Sequence, residues 1–194
     1  MAKVYPQEPT SPPYSSFGPE TYTLWMKSLV CHSNGCTVYD SNGAVVYRVD
    51  NYDTKGRRHV NLFDLRGRVL CTIHKKLLAF GRWDVYRGND NSNRKIQTQK
   101  PWFQVKRCYK MITGKVTCQI TKECQKYCIE KTGSKTAFRI VGIDGDIVAD
   151  AKQKHSSSGV VLGNDVLTLD VLGCIDHSLI MAFVTVFGLI CGRL

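Results

Sequence analysis

Nine cysteines and five histidines are the side chains of this 194-residue chain best suited to metal or nucleophilic chemistry, and their spacing points to neither. A structural zinc site needs thiolates or imidazoles paired at short intervals. The nearest approaches are Cys31 with Cys36, and Cys118 with Cys124 and Cys128; no C-x-x-C pair occurs. Cys118 and Cys124 fall in alternating runs where a small buried side chain is expected, so no metal is expected and most thiols should be core. Nucleophilic catalysis would need a Cys or Ser with a His and an orienting third group. None of His32, His59, His74, His155 and His177 sits in such a signature, and G-x-S-x-G, P-loop, G-x-G-x-x-G and H-E-x-x-H patterns are absent. Asp144 and Asp146 look like a carboxylate pair but flank Gly145, which marks them as solvated turn residues. A non-enzymatic protein without a cofactor is the expectation.

Charge is the stronger signal. The net charge is +11, and the stretch from Arg48 to Arg139 holds 22 Lys and Arg against 7 Asp and Glu, leaving the flanks at 5 against 9. A field of that sign attracts phosphates, anionic lipid head groups or acidic proteins without choosing among them. Arg57-Arg58, Lys75-Lys76, Lys106-Arg107, Arg66, Arg68, Arg82 and Arg87 are interleaved with Trp83, Tyr86 and Trp102, a mixture that suits single-stranded nucleic acid or a membrane interface, although alternate cations on strands equally make an ordinary solvated face, the expectation for most of them. Adjacent cations on a strand point to opposite faces, so only one of Lys75 and Lys76 can join a given face.

The elements that must position these residues are strands. Short alternating runs between turn residues predict twelve of them, at about 22–30, 36–40, 44–50, 59–64, 68–75, 82–87, 101–108, 114–120, 125–131, 136–141, 146–153 and 165–172. Val45, Tyr47 and Val49 share one face of such a run, as do Val69, Cys71 and Ile73, and Ile147, Ala149 and Ala151. A weak repeat of apolar run, turn ending in Gly and alternating run occurs at Val38–Val46, Leu62–Leu70 and Ile140–Val148. Asn42-Gly43 and Asp144-Gly145 signal hairpins with primed turns, in which both central residues take positive φ. That many strands in one domain favour closure into a barrel, which leaves no exposed edge. Five of the six prolines lie in the first twenty residues, predicting a flexible tail over 1–20 and one domain over 21–194.

Ser178–Cys191 breaks the alternation: fourteen residues without charge or proline, apolar on every side. A helix of that kind must be buried in protein or lipid. At about 1.5 Å per residue it spans roughly 21 Å, short of a bilayer core of about 30 Å. A core helix of about 177–191, capped by Asp176 and enclosed by the strands, is therefore expected, and no transmembrane span. No signal peptide opens the sequence, so a cytoplasmic chain with reduced thiols is expected.

The same residues resemble the LURP-one-related family of plant proteins. The likeness runs through Leu24–Leu29, Thr37–Gly43, Tyr47–Tyr52, Asp64, Gly67, Leu70, Thr72, Ile73, Arg82–Gly88, Leu162–Val166 and Asp176–Ala182. It implies a mainly β fold similar to the tubby C-terminal domain and the phospholipid scramblases: a closed twelve-stranded antiparallel barrel around a central hydrophobic C-terminal helix. With the basic segment, it implies a monomeric module that binds phosphoinositide or other anionic lipid, peripherally at the plasma membrane or in the nucleus. Lys75, Lys76, Arg57, Arg58 and Arg82 are the head-group contacts then expected. The alternative is a protein- or nucleic-acid-binding regulator in plant stress or defence signalling, with nucleic acid the weaker partner.

Overall fold

The computed structural model describes residues 18–27, 34–51, 59–76, 81–88, 100–109, 116–133, 136–172 and 174–194. Twelve strands follow one another: β1 (Glu20–Trp25), β2 (Asn34–Tyr39), β3 (Val45–Asn51), β4 (His59–Asp64), β5 (Val69–Lys75), β6 (Arg82–Arg87), β7 (Phe103–Tyr109), β8 (Val116–Lys122), β9 (Gln125–Lys131), β10 (Phe138–Gly142), β11 (Ile147–Gln153) and β12 (Val166–Val171), then α1 (His177–Ile190). Each strand pairs antiparallel with its neighbours in sequence, and β1 pairs with β12 from Glu20 opposite Val171 to Trp25 opposite Val166. That last ladder closes the barrel and abolishes the edges. All twelve expected strands are present. The first is shorter than the sequence suggests, since β1 ends at Trp25 and 28–30 lie outside the described residues, as does the expected tail through 17.

Alternation sets inside from outside. In β4 the order runs exposed, buried, half-buried, buried, half-buried, buried, with Val60 and Leu62 inward; in β5 Cys71 and Ile73 point inward and are fully buried. A barrel of about eight strands is filled by its own side chains, whereas twelve leave room for more. Here α1 occupies the space. Phe183 lies edge-on to Phe103 at 4.8 Å and tilted on Tyr127 at 5.2 Å, and Phe187 packs on Phe138 at 4.9 Å. His177 and Leu179 through Gly188 are buried. The helix has no polar stripe because every side of it faces a strand, and no described helix is long and apolar enough to cross a membrane. Asp176 caps it, its Oδ1 accepting from the Ser178 N–H at 2.9 Å.

The three sequence repeats are three hairpins of one construction, but the turns are not primed. Gly43, Gly67 and Gly145 have φ of 80°, 76° and 88°, whereas the only described non-glycine residue with positive φ is Glu123. Gly43 N–H donates to the Asp40 carbonyl and Asp40 N–H to the Ala44 carbonyl; Gly67 with Asp64 and Gly145 with Gly142 repeat the pattern. Each hairpin carries a register shift, at Val38/Tyr39, Leu62/Phe63 and Ile140/Val141. This is the longer loop with a glycine bulge, not the two-residue primed turn. The Asp40 and Asp64 carboxylates hold the bend, each accepting two backbone N–H groups at 2.8–2.9 Å.

The direction of the strands separates two rims. Connections from even to odd strands, together with the start of α1, lie at one end, the turn rim; connections from odd to even strands lie at the other, the loop rim.

Candidate anion-binding surface

The loop rim is where the cations collect. Take the last three residues of each odd strand, the first three of each even strand, the connections between them and 191–194. Among described residues these hold Lys27, Lys75, Lys76, Arg82, Arg107, Lys131, Arg139, Lys152, Lys154 and Arg193 against Asp50, Asp84, Glu130 and Asp165. The turn rim, taken the same way, holds six cations against eight carboxylates. The barrel is thus electrically polar, positive at one mouth and slightly negative at the other.

Three of the five residues expected to contact an anion are brought together on that rim; Arg57 and Arg58 lie outside the described residues. Lys75 and Trp83 are cross-strand partners, and the Lys75 ammonium lies over the indole ring, 5.6 Å from its centroid. Lys76 and Arg82 share a backbone hydrogen bond, Lys76 N–H to the Arg82 carbonyl at 3.0 Å. Both reach the buried carboxylate of Asp84, Lys76 Nζ at 3.4 Å and Arg82 Nε at 3.1 Å. As alternation requires, Lys75 and Lys76 face opposite ways: one toward the mouth, the other onto the outer wall. Two cations share one carboxylate, so the cluster keeps a surplus positive charge with about half of each side chain in water.

Beside it on the outer wall His59 and His74 stack with centroids 5.5 Å apart, and Tyr86 meets His74 edge-on at 5.4 Å. Burial, then the neighbouring His59 and Lys76, hold the His74 imidazole below the usual histidine range, with Asp84 only partly offsetting them. His74 is therefore neutral near pH 7 and adds aromatic surface more than charge.

Among the described residues no three Cys, His, Asp or Glu side chains are grouped so as to hold a metal ion. Cys36, Cys71 and Cys118 are buried, Cys108, Cys128 and Cys191 are partly covered, and Cys124 and Cys174 are exposed; Cys31 lies outside the described residues. Core placement thus holds for fewer thiols than expected. Cys124 is the clearest departure, because it sits in the β8–β9 turn after Glu123 instead of within a strand. Cys118 opposes Ile129 while Cys128 opposes Gln119, which puts Cys118 and Cys128 on opposite faces of the wall.

Where β1 meets the start of α1, buried polar side chains are hydrogen-bonded to one another. The Tyr22 hydroxyl is 2.7 Å from both Glu20 Oε2 and His177 Nδ1, and His177 Nε2 is 3.0 Å from the Gly18 carbonyl. A carbonyl only accepts, so Nε2 carries a proton. Burial and the Glu20 hydrogen bond push the Tyr22 phenol well above its ordinary range. Tyr22 and His177 are 1% and 0% exposed, which leaves no access for a substrate; the group ties the entry of β1 to the start of α1.

A closed antiparallel barrel of twelve strands around an apolar helix is the fold class, and a solved structure shares it. The X-ray structure of a protein from Arabidopsis thaliana matches with a TM-score of 0.56 at 19% identity, covering 88% of this chain and 90% of that one. The LURP-one-related family profile matches residues 20–188. Protein LURP-one-related 4 of Arabidopsis thaliana is 46% identical over 195 residues, 99% of this chain and 88% of the relative. Protein LURP-one-related 11 of the same plant is 36% identical over 205 residues, 98% and 89% of the two chains. The chain belongs to the LURP-one-related family.

Proposed function

We propose that the protein is a non-enzymatic binding module that docks reversibly on anionic membrane surfaces through its loop rim, with acidic lipid head groups met by Lys75, Lys76 and Arg82. The observation that carries this reading is the split between the two mouths, among described residues ten cations against four carboxylates at one and six against eight at the other. A juxtamembrane cation is worth about 1 kcal/mol against an acidic leaflet, so a rim with a surplus of cations over carboxylates binds measurably while any single cation does not. The Lys75–Trp83 pair adds an aromatic ring of the kind that settles at head-group depth.

Vesicle sedimentation tests this. The protein should bind vesicles containing phosphatidylserine or a phosphoinositide and not neutral phosphatidylcholine, and binding should weaken as salt rises. Replacing Lys75 and Lys76 together by Gln removes about 2 kcal/mol, roughly a 30-fold loss. Equal affinity for neutral vesicles would overturn the reading. The rival, a regulator that binds protein or nucleic acid in stress or defence signalling, draws on the same rim; salt-sensitive gel shifts without vesicle binding would favour it.

A further inference from the structure

The β11–β12 connection is an ordered arm, and it carries the longest run of exposed aliphatic side chains among the described residues. Val160, Val161 and Leu162 are consecutive and are 63%, 47% and 49% exposed. Single apolar residues on a surface are ordinary, but three in succession are not. Alternation sends Val160 and Leu162 to one side of the arm and Val161 to the other, so both sides are wet. The arm is not slack chain. Its ladder continues past the barrel with Lys154 N–H to the Val166 carbonyl at 3.0 Å, Leu162 N–H to the Lys154 carbonyl at 3.0 Å and Ser156 N–H to the Val160 carbonyl at 2.8 Å. A bridge joins His155 to Val161, and the turn ends at Gly159 with φ of 80°. At the base the Gln153 side chain donates to the Gly163 carbonyl and to Asn164 Oδ1.

Charge says what covers this apolar run. From 151 to 164 the sequence holds two lysines, one histidine and no carboxylate. The exposed aliphatics of the turn rim differ from this run: Ile143 and Ile147 flank Asp144 and Asp146, which repel an acidic surface, while Leu65 and Val69 flank Arg66 and Arg68 but, like Leu172, stand singly. Position matters as well. In the ring of strands β11 and β12 stand six places from β5 and β6, so the arm and the Lys75–Arg82 cluster face each other across the mouth. With strands about 4.8 Å apart, that distance is on the order of 20 Å. A small ligand does not reach both; a flat anionic surface laid across the rim does.

We infer that Val160, Val161 and Leu162 form a wedge that enters the acyl boundary of an acidic bilayer while the cations across the mouth lie on its head groups. The inference rests on the membrane reading above and adds a depth and an orientation to it. Aliphatic groups entering the boundary give a salt-independent share of the affinity, which the cations alone do not.

The test uses the full chain, vesicles of phosphatidylcholine with and without phosphatidylserine, and a phosphatidylserine-containing monolayer. The variant is Val160→Ser with Leu162→Ser. Both positions are exposed, so the thermal midpoint should hold, and affinity for acidic vesicles should fall by at least ~10-fold with the salt dependence unchanged. The wild-type protein should raise monolayer pressure and the variant should not. A variant that binds acidic vesicles like the wild type would overturn the wedge and leave the docking reading standing. Absence of binding by the wild-type protein would overturn both. Self-association of the wild type in sedimentation velocity, lost in the variant, would assign the arm to a second copy of the chain and overturn the wedge.

Discussion

Truncating Phe183 to alanine measures how much of the stability rests on the helix filling the barrel. The ring is 0% exposed and has two aromatic partners, Phe103 at 4.8 Å and Tyr127 at 5.2 Å. A buried Phe→Ala costs about 3–5 kcal/mol in lost transfer energy and residual cavity. Edge-on and tilted ring pairs each add about 0.5–1.5 kcal/mol beyond area, which places this site near 4–5 kcal/mol. Domains are stable by only about 5–15 kcal/mol, so the change removes roughly a quarter or more of the total. For a chain of this length about 2–4 °C is lost per kcal/mol, giving a fall of ~8–20 °C in Tm. Urea unfolding followed by far-UV circular dichroism and by tryptophan fluorescence reads the loss, because Trp83 and Trp102 pack against the core. Ile143→Ala, at a position 67% exposed, serves as the control and should stay within about 0.5 kcal/mol. A Phe183→Ala protein less than 1 kcal/mol weaker than wild type at an unchanged urea slope would show that the helix does not carry the core.

Four further outcomes follow from the geometry. A Cβ at Gly88 would stand 1.7 Å from the Val69 carbonyl oxygen, so Gly88→Ala should cost at least about 2 kcal/mol in a thermal melt, whereas Gly133→Ala, with nothing within 4 Å, should be neutral. Burial pushes the Cys36, Cys71 and Cys118 thiols up to about 12, so Ellman's reagent near pH 8 should label exposed Cys124 and Cys174 first and these three only on unfolding. Because the folded values are raised from 9.0, the unfolded chain loses these protons first. Stability should hold below pH 9 and decline toward pH 12 by about 1.4 kcal/mol per unit per thiol, as alkaline denaturation curves would show. Asp84→Asn leaves Lys76 and Arg82 without their shared carboxylate, and should lower stability while tightening binding to acidic vesicles by ~5-fold; weaker binding would mean that Asp84 organises the rim more than it neutralises it.

Alternation made the wall legible, since a period of two is written into runs such as Val60–Leu62 and Cys71–Ile73 whatever the strands pair with. The helix was legible for the opposite reason, an apolar stretch with no stripe. The turns were misread because Asn-Gly and Asp-Gly favour primed hairpins, while the decisive residues at two of the repeats are the aspartates ahead of them, Asp40 and Asp64, whose carboxylates hold a longer bend. The cationic rim was half legible. Lys75, Lys76 and Arg82 stand out as a cluster in sequence, but Lys27, Lys131, Lys152 and Lys154 are scattered through it and meet only because each lies near the end of an odd strand. Strand parity is the signal that finds them, and it needs the strands assigned first. The Val160–Leu162 arm carries no periodic signature, and its exposure is visible only in three dimensions.

The ladder between β1 and β12, and the placing of α1 after all twelve strands, impose an order on synthesis. The first strand leaves the ribosome early and waits for a partner almost the whole length of the barrel away, while the filling of the cylinder is made later still. Until then the growing chain holds eleven hairpin-linked strands around an empty interior, open along one seam. Such non-local closure folds slowly, over milliseconds to seconds, and leaves the seam exposed to pairing with another chain. The unfinished barrel, more than the finished one, is thus the state open to mispairing.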